Sequence, residues 1–208
     1  MKELYEKLDK SLLNSFPLVS FNGPVYEVSS VEDMQKALHF LSRQPMIGID
    51  SETRPSFQKG KMHKVSLLQL ATRNECFLIH LNVLGVTPEL VALFEDEKVM
   101  KVGLSLSDDI KALQRRKQFQ PANFVDIQSL FPHLGVTDMS LQKLYGNVFH
   151  ERISKREQLS NWERLPLTEK QQRYAATDAW ACLMLYDEYL RLMESHDYIV
   201  KKEDSDEL

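Results

Sequence analysis

The spacing of apolar residues changes partway along the chain. Leu4, Leu8, Leu12 and Leu13 recur at helical intervals, and Ser30 to Ser42 (SVEDMQKALHFLS) repeats that pattern after a short extended stretch, VYEV. Residues 1–44 therefore predict an N-terminal helical extension. From Pro45 the pattern becomes that of strands. MIGID, KVSLLQLA and ECFLIHL are short apolar runs, the last two separated by Thr72, Arg73 and Asn74, and three successive strands predict an antiparallel meander. Next come a helix over Pro88 to Phe94, a strand in KVMKVGLS, a helix over Asp108 to Arg116 and a last short strand in NFVDI. Alternating strands and helices imply parallel strands joined by crossovers. The expected fold is α/β: a mixed five-stranded sheet, its first three strands antiparallel and the rest parallel, with helices on both faces.

A long C-terminal helix has a clear beginning. Thr168 and Gln171 stand at the capping-box spacing with Pro166 just upstream, and helical periodicity continues to about Met193. The main domain is expected over 45–197, followed by a charged, disordered tail over 198–208 that ends in KKEDSDEL.

Composition narrows the function. The chain has 208 residues, 43% of them apolar and 27% charged, within the range of an ordinary globular domain. The N-terminus is charged from its second residue, and no apolar run approaches the roughly 18 residues of a membrane span. These features predict a soluble intracellular protein, cytoplasmic in a bacterium and open to the nucleus in a eukaryote, with no membrane partner. Cys76 and Cys182 sit in apolar contexts and read as free buried thiols, and the six His residues have no metal-ligand spacing. A net charge of −4 argues against a protein that coats nucleic acid. It does not argue against a local site, where bound divalent ions would reverse the charge.

The candidate chemistry lies in acidic residues far apart in sequence. Asp50 and Glu52 are two apart at the end of an apolar strand and so share one sheet face. Tyr174 and Asp178 are four apart on a helix, one turn from each other. Asp109 falls in the first turn of a helix that follows a strand, where α/β sheets commonly present functional groups. Taken singly, each has a plain structural explanation: a strand end, a helix-dipole carboxylate behind a Ser107 cap, an exposed helix residue. Asp178 resists its explanation, because Ala175, Ala176, Ala179, Trp180, Ala181 and Cys182 surround it and an unpaired carboxylate is costly to bury. Several converging carboxylates suit two divalent ions about 3.5–4 Å apart, the arrangement that hydrolyses phosphodiesters.

The motifs IGIDSETRPSF, VSLLQLA, VGLSLSDDIKAL and SNWERLPLTEKQQRYAATDAW, spread from about Met46 to Tyr189, resemble the ribonuclease-H-like (DnaQ-like) superfamily of DEDD 3′-5′ exonucleases. The Y-x-x-x-D form of the last motif places the chain with the DEDDy subclass, and the sequence is most similar to the Werner-syndrome-type exonuclease domain. The resemblance implies metal-dependent hydrolysis of nucleic acid, DNA favoured, from the 3′ end to nucleoside 5′-monophosphates. It implies two Mg2+ or Mn2+ ions. Asp50 would be shared by both, Glu52 and Asp178 would complete the first site, and Asp109 would hold the second. Asp109 fits the motif better than Asp108, because a Leu follows it four positions later. Tyr174 would orient the attacking water. Ribonuclease D-like trimming of RNA 3′ ends and a non-catalytic nucleic-acid-binding module are the alternatives.

Basic residues flank these motifs. Arg54, Lys59, Lys61, His63 and Lys64 lie in or beside one loop, and Arg152, Lys155 and Arg156 precede SNW. Thr53, Arg54, Lys64, Lys155 and Arg156 are the candidate nucleic-acid contacts, since backbone phosphates are bound without regard to sequence. Phe57 and Trp162 are candidate stacking residues, with packing the stronger expectation for Trp162.

Overall fold

In a computed structural model that describes residues 1–56 and 63–202, the chain begins with β1 (Lys2–Tyr5), α1 (Lys10–Ser15), β2 (Leu18–Val19), β3 (Val25–Val28) and α2 (Val31–Leu41). The meander follows as β4 (Met46–Thr53), β5 (Val65–Ala71) and β6 (Cys76–His80). After these come α3 (Leu81–Leu84), α4 (Pro88–Glu95), β7 (Met100–Gly103), α5 (Leu106–Gln114) and β8 (Phe124–Asp126). Two 3-10 turns lead to α6 (Leu141–Phe149), β9 (Arg152–Ile153), α7 (Glu169–Ser195) and β10 (Tyr198–Lys201).

The main sheet has six strands in the order β3-β6-β5-β4-β7-β8, one more than the sequence predicts. The meander β4, β5, β6 is antiparallel and the pairs β4–β7 and β7–β8 are parallel, as expected. The additional strand is VYEV. It pairs with β6 in parallel, and Glu27 fastens it there: its carboxylate meets His80 Nε2 at 2.7 Å, accepts the Leu167 N–H at 2.8 Å and takes a bond from Gln172 of α7. A lone charged residue in a four-residue strand gives no periodicity signal. Its three partners come from distant parts of the chain.

Two further expectations are corrected at the ends of the chain. Leu4 belongs to a strand, and the apparent helical register with Leu8 runs across a turn before α1 begins at Lys10. Part of the segment expected to be a disordered tail is ordered: Tyr198–Lys201 forms β10 and pairs in parallel with β1. Lys2 and Glu188 of α7 form an ion pair beside that ladder, and Lys201 bonds Glu3 at 2.6 Å. The two ends supply each other's backbone partners, a pairing that neither short segment reveals alone.

Both faces of the sheet are covered. On one side Met34 and Leu38 of α2, Leu93 of α4 and Leu113 of α5 pack on Ile47, Ile49, Leu68 and Leu70. On the other, α7 lies across Leu67, Ala71 and Leu78 through Ala175, Ala176 and Ala179. Every residue of β5 is buried, which explains its nearly continuous apolar run. Helix α7 starts at the predicted capping box: Thr168 accepts the Gln171 N–H at 3.2 Å while Gln171 accepts the Thr168 N–H at 3.0 Å. Helix α5 starts two residues earlier than predicted. Its first N–H groups are satisfied by Asp126 at the end of β8, which accepts from Ser105 and Leu106 at 2.9 Å each, so Ser107 is not the cap.

Candidate active site

Strand β4 and helix α7 are held unusually close by Gly48. A Cβ at that position would stand 2.1 Å from the Ala179 carbonyl oxygen. The small residues of α7 therefore rest directly on the strand, and the next residues toward the strand end on the same face are Asp50 and Glu52. Asp178, immediately before Ala179, and Tyr174, one turn of helix earlier, come to the same place. Asp50, Glu52 and Asp178 each present a carboxylate oxygen, and these atoms all lie within 4.8 Å of one another. A register irregularity between Glu52 and Thr53 ends the regular pairing just past the cluster.

Three converging carboxylates, Asp178 buried and the other two half-buried, resist ionisation. Burial, then the charges of Asp178 and Asp109, hold the Asp50 carboxyl well above the ordinary range. Burial and the Asp50 charge push Glu52 to about 10, and burial takes Asp178 to about 7 against opposing contributions from Tyr174 and Lys155. Asp178 Oδ1 is buried with no hydrogen-bond partner. An all-oxygen donor set, mutual repulsion and an orphaned buried oxygen together are what a hard divalent cation would relieve. The residues present fit such an ion.

Asp109 stands beside this trio rather than within it. It accepts a short hydrogen bond from the Ser51 hydroxyl, and Ser51 projects to the opposite side of β4 from its acidic neighbours. Its charge still contributes to the raised pKa of both Asp50 and Glu52, and burial brings its own carboxyl to about 6. Asp108 is exposed and lies 3.6 Å from Lys111, away from the cluster. Ser51 is a site residue that the sequence reading passes over, although strand alternation alone points it at α5. Gln69 is another. Directly opposite Asp50 in β5, it is fully buried, with neither amide atom hydrogen-bonded among the described residues.

The Tyr174 hydroxyl lies against Asp178, and burial with the surrounding carboxylates raises its pKa far above that of free tyrosine. Trp162 is fully buried with its ring centroid 5.8 Å from that of Tyr174, so it packs behind the tyrosine and offers no face to a base.

The basic candidates divide between two sides. Thr53 and Arg54, just past the irregularity, line a hollow of about 750 Å³ with His63, Lys64 and Arg115. Arg54 is committed to Glu163 at 2.9 Å, while Lys64 is exposed. On the other side Lys155 and Arg156 are exposed, and the Lys155 charge reaches Asp178. Phe57, Lys59 and Lys61 lie outside the described residues. No helix among the described residues is long and apolar enough to cross a membrane.

The chain is similar to known proteins. The family model described as 3′-5′ exonuclease matches residues 25–194. The chain is 30% identical over 190 residues to the mouse (Mus musculus) bifunctional 3′-5′ exonuclease/ATP-dependent helicase WRN, covering 86% of this chain and 14% of that protein. It is 32% identical over 174 residues to ribonuclease D of Haemophilus influenzae, covering 82% of this chain and 40% of that one. The chain thus spans less than half the length of either relative. Among solved structures, the Aedes aegypti Nibbler EXO domain superposes with a TM-score of 0.78 at 26% identity, covering 86% of this chain and 94% of that domain. A match over most of the chain, on a six-stranded mixed sheet with its carboxylates gathered between β4 and α7, makes this protein a member of the ribonuclease-H-like 3′-5′ exonuclease family.

Proposed function

We propose that the chain hydrolyses the last phosphodiester at the 3′ end of a nucleic acid strand, releasing nucleoside 5′-monophosphates with the help of two divalent cations, Mg2+ or Mn2+. The observation that carries this reading is the convergence of Asp50, Glu52 and Asp178 within 4.8 Å, with Tyr174 beside Asp178 and Asp109 alongside. Asp50, Glu52 and Asp178 would hold one ion, and Asp109, with Asp50, a second. Bound there, the ions supply Lewis acidity that lowers the pKa of water and offsets charge on the attacking and leaving oxygens.

The protein's own groups do the placing. Tyr174 keeps its proton at neutral pH, so its hydroxyl serves to orient a water by hydrogen bonding and not to remove the water's proton. Trp162 behind it and Asp178 beside it restrict where that hydroxyl can point. The Ser51 hydroxyl fixes Asp109 in the same way. Thr53, Arg54, Lys64, Lys155 and Arg156 would meet the strand around the scissile phosphate, Arg54 after exchanging its partner Glu163.

DNA is the favoured polymer, on the motif resemblance to the Werner-type domain. Removal of RNA 3′ nucleotides is the second reading, favoured by the identity to a ribonuclease D. Incubating the protein with 3′- and 5′-labelled DNA and RNA, in Mg2+, Mn2+ or chelator, tests both. Loss of the 3′ label first, only with metal, is the expected result, and the faster polymer identifies the substrate. Degradation from the 5′ end, or activity indifferent to chelator, would overturn the proposal.

A further inference from the structure

A hollow of about 240 Å³ lies beside Tyr174, bounded also by Ser154, Arg156 and Arg173. It shares Ile153, Ser154 and Arg156 with a larger cleft of about 560 Å³. One wall of that cleft is α1 with β2, carrying Lys10 and Asn14. The other is α6 with β9 and the residues after it, carrying Lys143, Arg152, Lys155 and Arg156. Five of the described residues that line it are basic and none is acidic.

The α1 wall lies outside the segment that the exonuclease family model matches, which starts at residue 25. It is nevertheless firmly built. Gly146 in α6 leaves room for Leu13 and Leu8, since a Cβ there would stand 2.4 Å from Leu13 Cδ1. Asn147 bonds both backbone groups of Tyr5, and the Leu8 N–H donates to buried Asp138 at 2.8 Å. Two of the cations help join the walls: Lys143 Nζ donates to the Leu8 carbonyl and Arg152 Nε to the Phe16 carbonyl. The other three, Lys10, Lys155 and Arg156, make no ion pair among the described residues. The overall charge of the chain is −4, so three free cations along one cleft are a local departure from the rest of the surface.

We propose that this cleft holds the body of a single nucleic acid strand, the phosphates 5′ to the nucleotide being removed, and that Lys10 and Asn14 of the N-terminal segment are part of that site. The inference rests on the exonuclease reading, because continuity with the hollow at Tyr174 is what identifies the occupant as a strand whose 3′ end lies at the carboxylates. Each cation that neutralises a phosphate of a single strand releases about 0.7 of a counterion, so binding through this cleft carries a salt dependence that falls as its cations are removed.

Fluorescence anisotropy of a 5′-labelled single strand of roughly a dozen nucleotides, DNA or RNA as the parent prefers, tests this with the full chain in chelator, where binding is read without cleavage. Lys10→Gln and Arg156→Gln are each expected to loosen Kd roughly three- to tenfold and to make the slope of log Kd against log salt shallower by about 0.7. Lys36→Gln, on the exposed face of α2 and paired with Glu32, is expected to bind like the parent. An unchanged Kd and slope for Lys10→Gln, or an equal loss for Lys36→Gln, would overturn the inference. Parent protein that removes 3′ nucleotides in Mg2+ while Lys10→Gln binds normally would refute only the cleft. Parent protein that neither binds nor cuts would refute the exonuclease reading beneath it.

Discussion

The contact between β4 and α7 has two parts with opposite physical characters. Around Gly48 it is dry and tight, with Ala179 resting on the strand backbone and Leu183 close behind. At Asp50 and Glu52, one and two side chains further along the same face, it holds carboxylates that repel each other and face the unpartnered Oδ1 of Asp178. The first part stabilises the fold and carries no chemistry. The second part strains the fold and holds the residues of the proposed chemistry. Their adjacency is instructive, because the close approach enforced at Gly48 keeps the three carboxylates within reach of one another when repulsion would drive them apart.

The largest expected effect comes from breaking the charged part. Asp50→Asn removes the ligand common to both proposed ion sites, and turnover should fall by at least about 10³-fold, some 4 kcal/mol in the barrier. In chelator the same variant should melt higher than the parent, because one member of the repelling group is gone. A variant with near-parental activity, read by release of 3′-terminal nucleotides, would remove Asp50 from the mechanism.

Breaking the dry part should act in the opposite sense on stability. Gly48→Val places atoms where the Ala179 carbonyl stands, and overpacking of this kind costs about 3 kcal/mol at the upper end of its range. For a chain of this length the melting temperature should drop by roughly 6–12 °C, with activity lost as the helix moves off the strand. Unchanged melting would mean that the approach of α7 to β4 is looser than described.

The repulsion itself should be visible in the pH dependence of stability. Folding raises Glu52 to about 10, Asp178 to about 7 and Asp109 to about 6, so the folded state binds more protons than the unfolded one above the ordinary carboxylate range. Stability of the metal-free protein should therefore be full below pH about 4 and decline as pH rises through those values. Mg2+ or Mn2+ at about 100 times its Kd should restore some 2.7 kcal/mol, raising the melting temperature by roughly 5–10 °C near neutral pH and less in acid. A metal effect that is equal at low and neutral pH, measured by thermal denaturation, would contradict the linkage.

The smallest effect is expected at Tyr174, one turn of α7 before Asp178. Tyr174→Phe keeps the ring packed against Trp162 and removes only the hydroxyl that orients water. Turnover should fall roughly ten- to a hundredfold, about 1.4–2.7 kcal/mol, with metal affinity by calorimetry close to that of the parent. Parental turnover would remove the orienting role.

Much of the site was legible because its residues obey local periodicities. Alternation along a strand places Asp50 and Glu52 on one face, and the four-residue interval on a helix brings Tyr174 to Asp178. The alanines around Asp178 made it the carboxylate least compatible with a solvated role, and it is buried. Asp109 was separable from Asp108 by motif, and the structure puts the two on different sides of the helix start. The residues without a sequence signal depend on partners remote in the chain. Ser51 matters only because α5 passes beneath it, and Glu27 only because His80, Leu167 and Gln172 converge there. Asp126 caps α5 across a gap of some twenty residues, which no local capping rule can find.

The antiparallel meander, the parallel crossovers, the long capped helix and the acidic motifs can all be read from the chain, since each is signalled by a pattern among residues close in sequence. Only the tertiary structure decided that VYEV joins the main sheet, that the two chain ends pair as β1 and β10, and that α1 completes a basic cleft beside α6 and β9. Short strands and single cations carry too little local free energy to declare their place. They acquire it when backbone groups and charges far apart in the chain satisfy one another, and folding alone brings those groups together.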